Sequence, residues 1–155
     1  MLELLINNQQ QDYLIPSDAV IKMWAVEALE TADDVQVSLI IVDEKESQRL
    51  NKEFRNKDKP TNVLSFPMDM PAELAESVDS LMLGDLVICA AVVEDEAQQQ
   101  NKIPEAHWAH MLVHGMLHLQ GYDHIEDSEA EAMEAKEIQL LNQLGFENPY
   151  QTQSN

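Results

Sequence analysis

An α/β (α+β) single domain, with about five helices packed on a small mixed sheet of about four strands, is the fold class this sequence predicts. Three observations carry it. Apolar runs of strand type alternate with stretches of helical period, in the order β-α-β-α-β-β-α-α-α. No Pro-, Gly- or Ser-rich segment divides the 155 residues into two domains. An apolar share of 45% beside 25% charged residues suits one soluble domain with a proper core.

Residues 2–6, Leu-Glu-Leu-Leu-Ile, are a short apolar run ended by Asn7 and Asn8, and predict a first strand. Pro16-Ser17-Asp18 reads as a helix start, after which Val20, Ile21, Trp24, Ala28 and Leu29 recur at helical spacing up to about Thr31. Val35 to Val42 is the clearest strand, half alternating and then continuously apolar. Asp43 opens the next helix, about 44 to 56, expected to bury Leu50 and Phe54. Pro60 and Pro67 bracket an extended run, Val63 to Phe66, and a proline at each end suits a sheet edge. Residues 68–80 are acidic and without period, hence a loop.

Leu81 to Cys89 predicts a further strand in which Gly84 marks a bulge or a close backbone approach. A helix follows from Ala90 to about Gln100, with Lys102 near its end. Pro104 is the first residue of the next, which runs to Leu119 with Gly121 beyond it. Ser128 to Glu131 has capping-box spacing and predicts the start of a last helix that turns Met133, Ile138, Leu141 and Leu144 inward and stops at Gly145. From Asn148 the tail is polar and expected to fray, leaving residues 1–155 as one domain.

No stretch approaches the roughly 18 apolar residues of a membrane helix, so no membrane partner is expected. The first residues have neither a basic start nor an apolar signal core, and Cys89 is alone in an apolar run; both point to the cytoplasm. The net charge of −20 disfavours non-specific affinity for phosphate chains. Its distribution is uneven, however. Six of the nine basic residues, Lys45, Arg49, Lys52, Arg55, Lys57 and Lys59, lie between positions 45 and 59, which makes that segment +3 and the remainder −23. Such a strip can guide an anionic substrate to one place on an acidic body, or it can be a solvated helix face with its own salt bridges.

The chemistry concentrates between His114 and His124, His-Gly-Met-Leu-His-Leu-Gln-Gly-Tyr-Asp-His. At about 3.6 residues per turn His114 and His118 share one helix face a turn apart. Gly121 lets the chain turn so that His124 returns as a third ligand. Three imidazoles and one open position suit a hydrolytic Zn²⁺ site, one ion per chain, although imidazole serves other metals too. The spacing equals that of the extended zincin pattern H-E-x-x-H-x-x-G-x-x-H, except that Gly115 stands where a zincin has its general base. A peptidase working by that base is therefore disfavoured. His107 and His110 continue the stripe as a rim or proton-handling shell, or as ordinary interior histidines, and Asp123 is a candidate second partner or base, or a turn residue.

The run His-Trp-Ala-His-Met-Leu-Val-His-Gly-Met-Leu-His-Leu-Gln-Gly-Tyr-Asp-His from His107, with Phe-Arg-Asn-Lys-Asp-Lys-Pro-Thr-Asn-Val-Leu-Ser-Phe-Pro from Phe54 and Leu-Gly-Asp-Leu-Val-Ile-Cys from Leu83, closely resembles the bacterial YbeY family. The resemblance implies a metal-dependent, single-strand-specific endoribonuclease of ribosomal RNA processing (16S rRNA 3′ end maturation) and ribosome quality control. It also implies zinc on His114, His118 and His124, a functional arginine at Arg55, and the ribosome or its proteins as partners. Asn62 stands where many members have Asp, so no carboxylate role is assigned there.

A planar guanidinium at Arg55 can grip a phosphodiester with two hydrogen bonds, and Arg49, Lys52, Lys57 and Lys59 are candidate phosphate contacts beside it. Catalysis is expected from Arg55 and His114, with water activated at the metal or the RNA 2′-hydroxyl as nucleophile. Two other readings stay open at this point: a zinc hydrolase of another substrate, and a non-catalytic ribosome assembly factor.

Overall fold

The computed structural model of the chain describes residues 1–10, 13–68, 81–123 and 125–150. Among the described residues nine elements follow one another in the predicted order: β1 (Leu2–Asn8), α1 (Asp18–Ala28), β2 (Val35–Val42), α2 (Glu44–Arg55), β3 (Val63–Pro67), β4 (Leu81–Cys89), α3 (Ala90–Gln99), α4 (Pro104–Leu119) and α5 (Asp127–Gln143). The four strands form one sheet in the order β1-β2-β4-β3. β1 and β4 run parallel to β2, and β3 runs antiparallel to β4, so the proline-bracketed strand is an edge, as its sequence predicts. The acidic segment expected to be a loop lies, from residue 69 to 80, outside the described residues.

Strand alternation divides the side chains between two layers. Val35, Val37, Leu39 and Ile41 of β2 and Leu86 and Ile88 of β4 face the main core with Trp24 of α1, Leu112 and Met116 of α4 and Met133 and Leu141 of α5. Val42, Leu64 and Val87 face the other way, with Ile40, Leu50 and Phe66 packed on them. Helix α2 covers this second face.

Ser17 caps α1 by accepting from Val20 N, and Asp43 caps α2 by accepting from Glu46 N at 2.8 Å. Helix α1 ends at Ala28 rather than Thr31, and its terminus is tied to α4 by Gln120, whose side-chain amide donates to the Ala28 carbonyl at 2.8 Å. The last helix starts at Asp127, with an extended Glu126 at the cap position and no side-chain cap hydrogen bond. Ser128 is already inside the helix, so it does not perform the capping its spacing suggests.

Helix α2 departs further from expectation. Leu50 is only half-buried and Phe54 is 57% exposed. The helix buries Ser47 and Asn51 instead: the Ser47 hydroxyl donates to the Thr61 carbonyl at 3.0 Å, and the Asn51 amide donates to the Lys59 carbonyl at 2.8 Å. These two polar residues hold the segment leading to β3, and Phe54, on the same face in the last turn of the helix, is left largely exposed.

Two glycines set how closely layers approach. A Cβ on Gly84 would lie 2.4 Å from the Phe66 carbonyl oxygen and 2.7 Å from Leu119 Cδ2; the ladder skips a residue here, pairing Gln36 with Met82 and Val37 with Gly84. A Cβ on Gly115 would lie 2.7 Å from Leu86 Cδ2, so α4 rests directly on β4 at this point. The clash at Gly84 involves backbone that cannot step aside. Gly84→Ala is accordingly expected to lower stability by about 3 kcal/mol, read as a reduced urea midpoint at unchanged slope; a wild-type midpoint would contradict this packing.

Candidate active site

Helix α4 begins with Pro104 at its first position and is buried along nearly its whole length, His107 and His110 included. Interior imidazoles need partners, and other elements supply them to the Nε2 atoms of His107 and His110, while their Nδ1 atoms are buried with no hydrogen bond among the described residues. His107 Nε2 donates to Glu96 Oε1 of α3 at 2.9 Å, and the Asn62 amide donates to the same carboxylate at 3.0 Å. The His107 bond, more than the Asn62 one, holds the Glu96 carboxyl below its ordinary range against the opposing effect of burial. An aspartate at position 62 would set a second carboxylate against Glu96, which accounts locally for Asn62.

Around His114 the central group is Glu137 of α5, whose exposure is 0%. One carboxylate oxygen accepts from His114 Nδ1 and the other from the Tyr150 hydroxyl. His110 Nε2 lies 3.2 Å from the Tyr150 oxygen and 3.6 Å from Glu137 Oε2. Burial alone would push the Glu137 carboxyl up, but the imidazoles of His110 and His114 and the Tyr150 hydroxyl around it hold it at about 2. The carboxylate therefore accepts throughout, Tyr150 donates to it, and His110 donates to Tyr150. Burial pushes the His110 imidazolium below its usual range, and burial together with the Glu137 contact pushes the Tyr150 phenol well up. Tyr150 belongs to the tail expected to fray from Asn148; residues 151–155 lie outside the described residues.

His118 is oriented by a turn. Gly121 at φ +102° reverses the chain so that the Tyr122 carbonyl accepts from His118 Nδ1 at 2.9 Å, while the Tyr122 hydroxyl donates to Glu30 at 2.7 Å and fixes the turn to the end of α1. Each imidazole thus has its Nδ1–H committed to an acceptor, which leaves both Nε2 atoms as lone-pair donors. Those atoms face each other at 3.1 Å. Two imidazole nitrogens on one tetrahedral Zn²⁺, each at about 2.0–2.1 Å, stand about 3.3–3.4 Å apart. The donor set and its spacing therefore fit a shared cation.

Of the other site residues read from sequence, His124 lies outside the described residues, and no cluster of three or more ligating groups occurs among the described residues. Asp123 is half-buried in the turn after Gly121. Arg55 is exposed at the end of α2, where its Nη2 donates to the Ser65 carbonyl of edge strand β3 at 2.8 Å. The Ser65 hydroxyl in turn sits 3.5 Å from the Gly115 carbonyl, so a single strand separates the arginine from the histidine helix. Within the basic strip Arg49 is bound by Glu46 and by Glu53 at 3.1 Å, and Lys52 lies 3.9 Å from Asp58. Lys45, Lys57 and Lys59 are exposed.

Residues 5–145 match the profile of endoribonuclease YbeY. The chain belongs to the YbeY endoribonuclease family. The solution structure of TM1509 from Thermotoga maritima is similar at 25% identity and a TM-score of 0.55, over 97% of this chain and 99% of that one. The family match spans all three motifs that carry the resemblance in the sequence, and the geometry adds residues that sequence reading missed: Glu137, Tyr150, Glu96 and the Tyr122 carbonyl. Glu137 had a readable signal, since it falls one turn from both Met133 and Leu141 in the inward phase of α5.

The depressed Glu137 carboxyl makes a pH prediction for metal-free protein. Its folded value lies below the ordinary 4.5, so its contribution to stability is fully present above that pH and is lost as pH falls through about 2. Glu137→Gln is expected to flatten the dependence of the urea midpoint on pH in this window; an identical acid limb in both proteins would refute the assignment.

Proposed function

We propose that the chain is a zinc-dependent endoribonuclease that cleaves single-stranded RNA in the cytoplasm, with ribosomal RNA as substrate, including the 16S rRNA 3′ end, and with ribosome quality control as its setting. The observation that carries this reading is the convergence of His114 and His118 Nε2 at 3.1 Å, each ring turned by a separate acceptor on its far side. Membership of an endoribonuclease family supplies the substrate class. No helix among the described residues is long and apolar enough to cross a membrane.

His114, His118 and His124 would hold the ion. When bound, Zn²⁺ supplies Lewis acidity toward a phosphodiester oxygen and toward water. The chain's own residues do the remainder. Glu137 and the Tyr122 carbonyl fix the two ring planes, so no reorientation is needed as substrate arrives. Arg55 binds a phosphate oxygen pair and stabilises the charge that grows on phosphorus-bound oxygens. A peptidase reading is weakened further by the packing at Gly115: a side chain there points at Leu86 and the sheet, not at the imidazoles, so the position offers no place for a zincin base.

Purified protein of known metal content is expected to cleave single-stranded RNA but neither duplex RNA nor casein, and to lose the activity on chelation and in His114→Ala. Cleavage that survives both treatments would sink the proposal. So would ribosome maturation complemented in full by a folded triple-histidine variant, which would favour the binding-only reading. Arg55→Ala is expected to lower turnover by about 10²–10³-fold with zinc content unchanged, and loss of zinc in that variant would contradict its role. Glu137→Gln is expected to weaken zinc binding by about 10–100-fold in a chelator competition; unaltered affinity would remove Glu137 from the site.

A further inference from the structure

Phe54 is out of place by ordinary packing. It is a large apolar side chain, 57% exposed, between Glu53 and Arg55 on a helix that otherwise presents charge. Its ring meets the half-buried Phe66 of β3 edge-on, with centroids 5.2 Å apart and planes at 70°. Arg55 Cζ lies 6.0 Å from the Phe66 centroid, over its ring, while the same guanidinium holds the Ser65 carbonyl. An exposed aromatic side chain, a buttressing ring and a cation thus meet at the open edge of the sheet, with strand β3 between them and Gly115 of α4.

We propose that Phe54, supported by Phe66, is a stacking site for an unpaired nucleobase of the RNA whose phosphate Arg55 grips. The proposal rests on the endoribonuclease reading and adds to it a residue that recognises the base. Charge complementarity selects the occupant. A base stacked on Phe54 carries a phosphate within reach of the adjacent guanidinium, whereas an apolar protein segment would leave Arg55 without an anion. The arrangement also gives a physical source for single-strand preference. In a duplex both faces of each base are already stacked, so only an unpaired base can lie on the exposed ring.

The test uses the full chain as purified, a short dye-labelled 2′-O-methyl oligouridylate checked to be intact after each measurement, and a ribose-phosphate oligomer of equal length without bases. Anisotropy is expected to give a Kd for the oligouridylate that rises about 5- to 100-fold in Phe54→Ala and is restored in Phe54→Trp. The two variants and wild type should bind the base-free oligomer alike. Because Phe54 is exposed, circular dichroism should report an unchanged fold. An unchanged Kd in Phe54→Ala overturns the proposal, as does an equal loss of affinity for the base-free oligomer or no measurable binding by wild type. An unchanged Kd accompanied by altered self-association in sedimentation would assign the patch to a protein contact instead. Base-dependent binding without cleavage of unmodified RNA would strike the endoribonuclease reading alone.

Discussion

A carboxylate with no exposure to water is the constraint on which this structure depends. An unpaired charge inside a protein costs several kcal/mol at least, and Glu137 is tolerated because groups from two parts of the chain converge on it: His114 of α4 and Tyr150 from beyond α5 donate to it, and His110 of α4 stands 3.6 Å away, bonded to Tyr150. Those same donors dictate much else. Helix α5 has to lie along the histidine stripe, Tyr150 has to return to it, and His114 has to present Nδ1 inward and Nε2 outward. The placement of α5 and the tautomer of one imidazole are therefore a single problem with a single solution.

The histidine helix meets a second demand on its opposite side. At Gly115 it rests on Leu86 of β4, where a Cβ would displace the leucine methyl, and the Ser65 hydroxyl of β3 lies 3.5 Å from the Gly115 carbonyl. Beyond Leu119 the turn at Gly121 bends the Tyr122 carbonyl back to His118. Each imidazole is thus anchored by a different means, one by a charged side chain of a distant helix and the other by local backbone. Loss of either anchor would leave the other intact, and the two ring nitrogens would no longer share a direction.

The sequence was legible where one period governed a segment. The order of nine elements, the limits of β2, the edge position of β3 and the start of α4 at Pro104 all follow from spacing and proline chemistry. Phe54 departs from the period because it falls in the last turn of α2, where only Phe66 of the edge strand meets its ring, while Ser47 and Asn51 on the same face hold the 59–61 backbone. Ser128 was misread because a capping pattern one residue inside a helix looks the same on paper as one at its start. At the site, the i, i+4 histidines and the turn glycine were visible, since both are local. Their acceptors were not, because Glu137 and Glu96 come from helices whose approach is decided only by packing.

Strand β3 lies at the rim of the sheet, where unpaired carbonyls and amides are a template for pairing with another chain. Five residues long, it ends in a proline that has no amide hydrogen to offer, and its Ser65 carbonyl is already taken by Arg55. Little remains for a foreign strand to add to. The arginine proposed to grip the substrate thereby also guards the sheet edge against pairing with another chain, so one guanidinium would answer both demands.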